Sequence, residues 1–485
     1  MSSEGPVEED SPTLPITSAL YNGMDVNKSR LSCDSEDLRQ GDDHATAHLL
    51  ADSSSIVQAH AISDPIFAPV RKIPPEILAK IFIECIPSLE LRSPPPSFEN
   101  GTHQQQVRAR IGQVCRMWNA VLNDEPGVWA TLVLDGWLPA LEIVSLWINR
   151  SKSHPLDVSL QIQGCNSYID IDAAVAVVKM LHRELWRIRS FFAEDFLNFH
   201  KSLPLFPPDL FTTAPMMQSV ALKCYNTHPK NLNWIHCPQL RTLTLQNCDE
   251  AIESLISKPM QNLRVLTIIN YCSDDMLSIK LLQALPDLVS LTWHTYGQPL
   301  RDEIPRVVLR SLKSLTLDMG RLDVVTLYVP SLEYLELFGK FPDITMDMVL
   351  DFICGDGAVQ LRRLTLRYGG LRLYLHATVW HHLKHLETLY VNDVSGNADK
   401  LLIGLSPPNR DFSSVCPQLK TLELSNVEFS TGALVDFVQR RVKSDLGGPG
   451  PGLVTCLKLS NMRVDKELSA QLAKTHSLSV HLLGC

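Results

Sequence analysis

Residues 240–245 read LRTLTL, and the same six-residue figure returns as 263–268 LRVLTI, 288–293 LVSLTW, 312–317 LKSLTL and 332–337 LEYLEL. It continues as 361–366 LRRLTL, 386–391 LETLYV, 419–424 LKTLEL and 454–459 VTCLKL. A looser copy, Met217, Val220 and Leu222, precedes them. Successive figures start 23, 25, 24, 20, 29, 25, 33 and 35 residues apart. An apolar residue at the first, fourth and sixth positions ends in strict alternation, which is the period of a strand with one buried face. Between the figures lie stretches with helical spacing. DDMLSIKLLQAL ends at Pro286, TMDMVLDFIC opens on Thr345 and closes at Gly355, and STGALVDFVQRRV opens on Ser430 or Thr431 as a cap.

Strand, turn, helix and return at a period of 20–35 residues is the unit of a leucine-rich repeat. One such unit cannot bury its own apolar side, so the fold must come from stacking neighbours. Here the spacing is irregular, and Asn247, Cys248 and Asn426 only approximate a polar turn position. The expected fold is therefore α/β: a degenerate repeat solenoid over 128–485, with parallel strands on the concave face and helices or loops on the convex one. VWATLVL, PLDVSLQI and RIRSFFA are read as further strands, IDAAVAVVKMLHREL as a helix between the last two, and SLSVHLL as a final strand.

The rest of the chain differs in composition. Residues 1–64 hold twelve Asp or Glu against three Lys or Arg, which accounts for the net charge of −9 of all 485 residues. Such a tail has too little apolar surface to offset its ordering entropy and is expected to be disordered. Its Ser35, in the acidic run Ser35-Glu36-Asp37, is read as part of a solvated tail, with a phosphorylation site as the alternative. From Pro65 the chain turns apolar. Pro75 suits a first helical turn, and Ile77, Leu78, Ile81, Phe82 and Cys85 form one stripe of a helix that Pro87 stops. Residues 87–106 are proline-rich and polar, a loop. VRARIGQVCRMWNAVL then reads as one helix with Ile111, Val114, Cys115, Trp118 and Leu122 along a face.

IPPEILAKIF and VCRMWNAVL together resemble the F-box. Ile73, Pro74, Glu76, Ile77, Leu78, Ile81 and Phe82 match its first half. Val114, Cys115, Arg116 and Trp118 match its second. The continuation through EPGVWATLVLDG and LEIVSLWINRSKSHPLDVSLQI is similar to F-box-like proteins with leucine-rich repeats, a group expanded in mushroom-forming fungi. The resemblance implies a small helical hairpin or three-helix unit over 65–127 that docks on a Skp-type adaptor, and through it on the cullin of an SCF ubiquitin ligase. It implies adaptor contacts at Ile73, Pro74, Glu76, Ile77, Leu78, Ile81, Phe82, Val114, Cys115 and Trp118. The 87–106 loop is longer than the family's usual link. The alternative is a hairpin that only caps the repeats of a non-catalytic interaction scaffold.

Positions between the buried residues of each strand should face outward on the concave side. Among them Tyr334, Phe338, Arg363, Arg367 and Tyr390 gather aromatic and arginine side chains, the types enriched where proteins bind proteins. They are the expected contacts to an unidentified protein target.

Other function classes find little in the sequence. The near-neutral charge after residue 64 argues against nucleic acid. No apolar run reaches the length of a bilayer span. Twelve cysteines show no C-x-x-C pairing, and Cys115, Cys248 and Cys456 stand where a buried apolar residue would serve, as in a reducing compartment, cytoplasmic or nuclear. No nucleophile elbow, phosphate loop or zinc-protease motif occurs, so no enzyme and no cofactor are expected. His381 and His385 are four apart on a possible helix, a zinc-compatible spacing without a third ligand. Residues 447–452, GGPGPG, read as a linker.

Overall fold

A computed structural model gives the fold. It describes residues 73–86, 100–136, 141–162, 171–195, 214–224, 237–248, 252, 255–257, 260–271, 275–295, 306–318, 327–339, 360–368, 379–392, 398–406, 415–442, 454–461, 466–473 and 478–483. All but Ile73 belong to the second of the chain's two units, Pro74–Cys485. The acidic tail, residues 87–99 of the expected loop, the TMDMVLDFIC helix and the 447–452 linker lie outside the described residues.

Among the described residues three helices come first: α1 (Pro75–Cys85), α2 (Asn100–Val114) and α3 (Arg116–Asp124). Two sequence expectations are corrected here. Residues 100–106 are helical rather than loop, and the single helix expected over 107–122 is broken at Cys115, whose backbone is extended at φ −164° and ψ 168°. A single 3₁₀ turn, Pro126–Trp129, leads into the sheet.

Fourteen strands then form one sheet: β1 (Thr131–Gly136), β2 (Leu156–Ile162), β3 (Ile188–Asp195), β4 (Ser219–Cys224), β5 (Thr242–Gln246), β6 (Val265–Tyr271), β7 (Ser290–Thr295), β9 (Ser314–Asp318), β11 (Tyr334–Gly339), β12 (Arg363–Tyr368), β13 (Thr388–Asn392), β14 (Thr421–Ser425), β15 (Cys456–Ser460) and β16 (Ser479–Leu483). They lie side by side in that order, every neighbouring pair parallel. The two-residue strands β8 (Val307–Val308) and β10 (Leu327–Tyr328) pair separately. Between strands run α4 (Leu141–Arg150), α5 (Ile171–Arg183), α6 (Asp275–Ala284), α7 (Asp399–Leu405), α8 (Thr431–Val442) and α9 (Lys466–Ala473). Periodicity did not single out α4.

The register explains the sequence figure. Leu243, Leu266, Leu291, Leu315, Leu335, Leu364, Leu389, Leu422 and Leu457 are paired neighbour to neighbour and form one fully buried column. Burying one such side chain contributes about 1.5–3 kcal/mol, and here each leucine is covered by the next repeat. The residue before each strand joins the stack through its backbone: Arg264 donates to Arg241, Val289 to Arg264 and Lys313 to Val289, at 2.8–2.9 Å.

At the turn after the strand, two roles are divided between neighbours. Asn247 takes the left-handed backbone (φ 55°), as Asn426 and Asn461 do after β14 and β15. Cys248 beside it is buried, its thiol donating to Gln246 O at 3.1 Å and lying 3.7 Å from Leu222 O. Cys456 is half-buried, but Cys115 is exposed, contrary to its expected burial, because the break between α2 and α3 turns it away from the core. At α8 the expected cap is present, with Ala433 N donating to Ser430 Oγ at 3.2 Å.

Among the described residues three arginines are buried and tie segments together. Arg187 donates to Glu184 Oε2 (2.7 Å), Ser151 Oγ (3.0 Å), His154 O (3.1 Å) and Ile148 O (3.1 Å), linking the end of α4 to the start of β3. Arg441 of α8 donates to Leu405 O (2.9 Å) and Val415 O (2.6 Å). Arg108 of α2 donates to Val128 O (3.2 Å) and Thr131 O (2.8 Å), and its guanidinium lies 5.5 Å from the Trp129 ring centre and 5.9 Å from that of Trp147. Burial lowers its pKa to about 10, which leaves the guanidinium charged at neutral pH.

Candidate functional site

Two surfaces gather the residues singled out in the sequence. The first is on the opening helices. The apolar stripe expected along α1 divides in two: Leu78 and Phe82 are each 1% exposed, whereas Ile77 is 46% and Ile81 41% exposed. The inner half is fixed by α3, the Phe82 and Trp118 rings lying 5.1 Å apart and tilted by 57°. Side chains at i and i+4 share a helix face, so Ile77 and Ile81 form one outward row, with Cys85 exposed a turn further on. Val114 is 56% exposed and Cys115 beside it is also exposed, so the expected common face of α2 and α3 divides too: Ile111 and Leu122 go inward. Pro74 and Glu76 are exposed, Ile73 and Trp118 half-buried. The same helices are held to the sheet, by Arg108 and by the Trp129 indole donating to Leu122 O at 2.8 Å.

The second surface is the open face of β7–β13, opposite the leucine column. Parallel pairing lays Tyr334, Arg363 and Thr388 along one rung of β11, β12 and β13, Glu336, Thr365 and Tyr390 along the next, and Phe338, Arg367 and Asn392 along a third. All five residues expected here, Tyr334, Phe338, Arg363, Arg367 and Tyr390, thus fall on three adjacent strands. Arg363 lies over the Tyr334 ring at 5.8 Å and Arg367 over Tyr390 at 5.6 Å.

Glu336 organises the cluster and was not singled out for it. Its Oε2 accepts from the Tyr334 hydroxyl at 2.5 Å, and its Oε1 lies 3.0 Å from Arg367 Nε. Burial, reinforced by the bond to Glu336, pushes the Tyr334 phenol up to about 12, so it remains a donor at neutral pH. His294 of β7 is a second addition, its ring 4.1 Å from that of Phe338 two strands away. Burial pushes its imidazole down to about 4, against the opposing pull of Glu336. Alternation placed both side chains on this face, but neither is aromatic-plus-arginine in kind, and their contacts cross strands.

The histidine pair expected on a helix is corrected. Residues Val379–His381 form one 3₁₀ turn and His382 and His385 lie in the turns after it, so the four-residue spacing does not align two imidazoles. Among the described residues no group of three or more His, Cys, Asp or Glu could hold a metal ion. No helix among them is long and apolar enough to cross a membrane.

No family model matches this chain. No curated protein matches it in sequence. Among solved structures, the crystal structure of a TLR13–ssRNA13 complex resembles it with a TM-score of 0.33 and 15% identity, over 61% of this chain and 47% of that one. The chain thus spans about half the length of that neighbour, and the likeness carries no argument about function. What is consistent with a leucine-rich repeat solenoid is the sheet itself, fourteen parallel strands in sequence order with one buried leucine column.

Proposed function

We propose that this chain is a substrate-recognition subunit of an SCF-type cullin–RING ubiquitin ligase. The opening helices dock on the Skp-type adaptor and the open sheet face holds the target protein. The chain itself performs no chemistry and uses no cofactor. Its contribution is to hold a target near the ubiquitin-loaded enzyme, an effect of local concentration. The compartment in this reading is the cytoplasm or nucleus.

The observation that supports the reading is the divided stripe of α1. Ile77 and Ile81 stand exposed in a row beside the buried Leu78 and Phe82, with Val114 also exposed. A small helical unit with an uncovered apolar row is suited to a partner helix laid along it. The residues concerned are among those that match the F-box pattern.

A second reading rests on Arg108. Its bonds to Val128 O and Thr131 O fasten α2 to the first strand, as a cap on a repeat array would be fastened. In that reading the chain is an interaction scaffold without a ligase partner.

Co-purification of the full chain with the adaptor separates the two. Ile77→Asp/Ile81→Asp is the informative variant, because both side chains are exposed and the core of the unit is untouched. Recovery of wild type but not of the variant supports the ligase reading. A folded wild type that recovers no adaptor leaves the cap.

A further inference from the structure

The charge balance of the open face over β11, β12 and β13 restricts what it can bind. Arg363 and Arg367 stand on the same side of one strand, four residues and about 13 Å apart at the usual strand rise. Each lies over a tyrosine of a neighbouring strand, Tyr334 and Tyr390. The buried Thr365 between them leaves a low floor.

Glu336 is the carboxylate among the outward residues of these three strands, and both its oxygens are engaged, one by Tyr334 and one by Arg367. Arg367 meets Glu336 through its Nε and is itself 54% exposed. Arg363 is exposed and has no carboxylate partner among the described residues. On β14 the next acid, Glu423, is held by Lys458 at 3.3 Å. Among the described side chains, the face over β11–β14 therefore presents guanidinium edges to solvent and no unengaged carboxylate. A cationic ligand would have to displace Tyr334 and Arg367 from Glu336, whereas an anionic one meets the exposed Arg363 and Arg367 directly.

We propose that this face takes an extended acidic segment of the target, with two anionic side chains four residues apart received by Arg363 and Arg367. The inference rests on the open face being the target-binding surface. In an extended segment, side chains at i and i+4 point the same way and are spaced like the two arginines. The planar fork of each guanidinium fits a carboxylate or a phosphate with two parallel N–H···O bonds. The shared chemistry is an oxyanion.

The test is fluorescence anisotropy of the full chain with three labelled seven-residue threonine-rich peptides. One carries Glu at its second and sixth positions, one phosphoserine there and one Gln. The expected result is binding of the Glu peptide, the phosphoserine peptide or both, at least about tenfold tighter than the Gln peptide. Arg363→Gln and Arg367→Gln should each weaken it about tenfold or more, scaled to a charge-assisted bond. Stronger binding of the Glu peptide makes the source a carboxylate; stronger binding of the phosphoserine peptide makes it a phosphate. Equal binding of all three, binding unaffected by either arginine substitution, or no binding of an anionic peptide at millimolar concentration overturns the proposal. Both arginines are exposed, and circular dichroism of the variants checks that they fold. Adaptor recovery from the same preparation reads the ligase assignment separately, so its failure and the failure of the acidic-segment proposal are distinguishable.

Discussion

Arg367 Nε lies 3.0 Å from Oε1 of Glu336, across the boundary between β11 and β12 and two residues off the direct rung. The pair is diagonal because the rung positions are taken: Glu336 faces Thr365, and Arg367 faces Phe338. The other oxygen of Glu336 receives the Tyr334 hydroxyl from two residues away on its own strand. One carboxylate thus sets the attitude of a tyrosine and an arginine.

Removing that carboxylate should be visible in the titration of Tyr334. The folded phenol sits near 12 against about 10 unfolded. The unfolded chain therefore loses its proton first, and the stability linked to Tyr334 is present below pH 10 and lost as pH rises towards 12. Glu336→Gln should lower the phenol pKa and narrow that window, while burial keeps it above 10. Ultraviolet titration of the Glu336→Gln and Tyr334→Phe variants against wild type checks this; an unchanged tyrosinate curve in Glu336→Gln would count against the bond.

His294 gives the opposite dependence. Its folded pKa of about 4 lies below the unfolded value of 6.5, so the unfolded chain binds the extra proton between them. Stability linked to His294 is full above pH 6.5 and is lost as pH falls towards 4. His294→Asn should flatten the loss of urea midpoint between pH 7 and pH 5 relative to wild type. Parallel curves for the two proteins would refute the assignment.

Arg187 is 2% exposed and makes four hydrogen bonds, two of them to backbone carbonyls of residues 148 and 154. Arg187→Met keeps the volume of the stem but leaves those acceptors unpaired in the interior. The expected cost is about 3–5 kcal/mol, as for removing one side of a buried polar network. A urea unfolding curve within about 1 kcal/mol of wild type would mean that the carbonyls find other partners.

In the opening helices, burial separates core from surface within two residues. Phe82→Ala removes a buried ring that packs on Trp118 and should cost about 3–5 kcal/mol. Ile81→Asp, next to it and facing outward, should stay within about 0.5 kcal/mol of wild type. Thermal melts of the two variants check the division. Equal destabilisation would mean that Ile81 is covered in the folded chain.

Much of this was legible in the chain. Each of the nine six-residue figures, and the looser copy at Met217, ends in a strand of the main sheet, because a leucine column pairs in only one register without turning its side chains to solvent. The five outward aromatic and arginine residues were legible for the same reason, since alternation fixes which side of a strand a residue takes. Their meeting point was not: parallel pairing of β11, β12 and β13 across gaps of different length decides that Arg363 reaches Tyr334 and Arg367 reaches Tyr390.

By itself, then, the sequence determined the repeat, the buried columns and the outward rows, all of which follow from local period. Tertiary structure alone decided which half of the α1 stripe is core, since a wide apolar stripe does not say where its neighbour will lie. It alone decided that Arg108, Arg187 and Arg441 are buried, because the carbonyls that receive them come from segments 20 to 39 residues away. And it alone set Glu336 between Tyr334 and Arg367, a contact that exists only once two strands have paired.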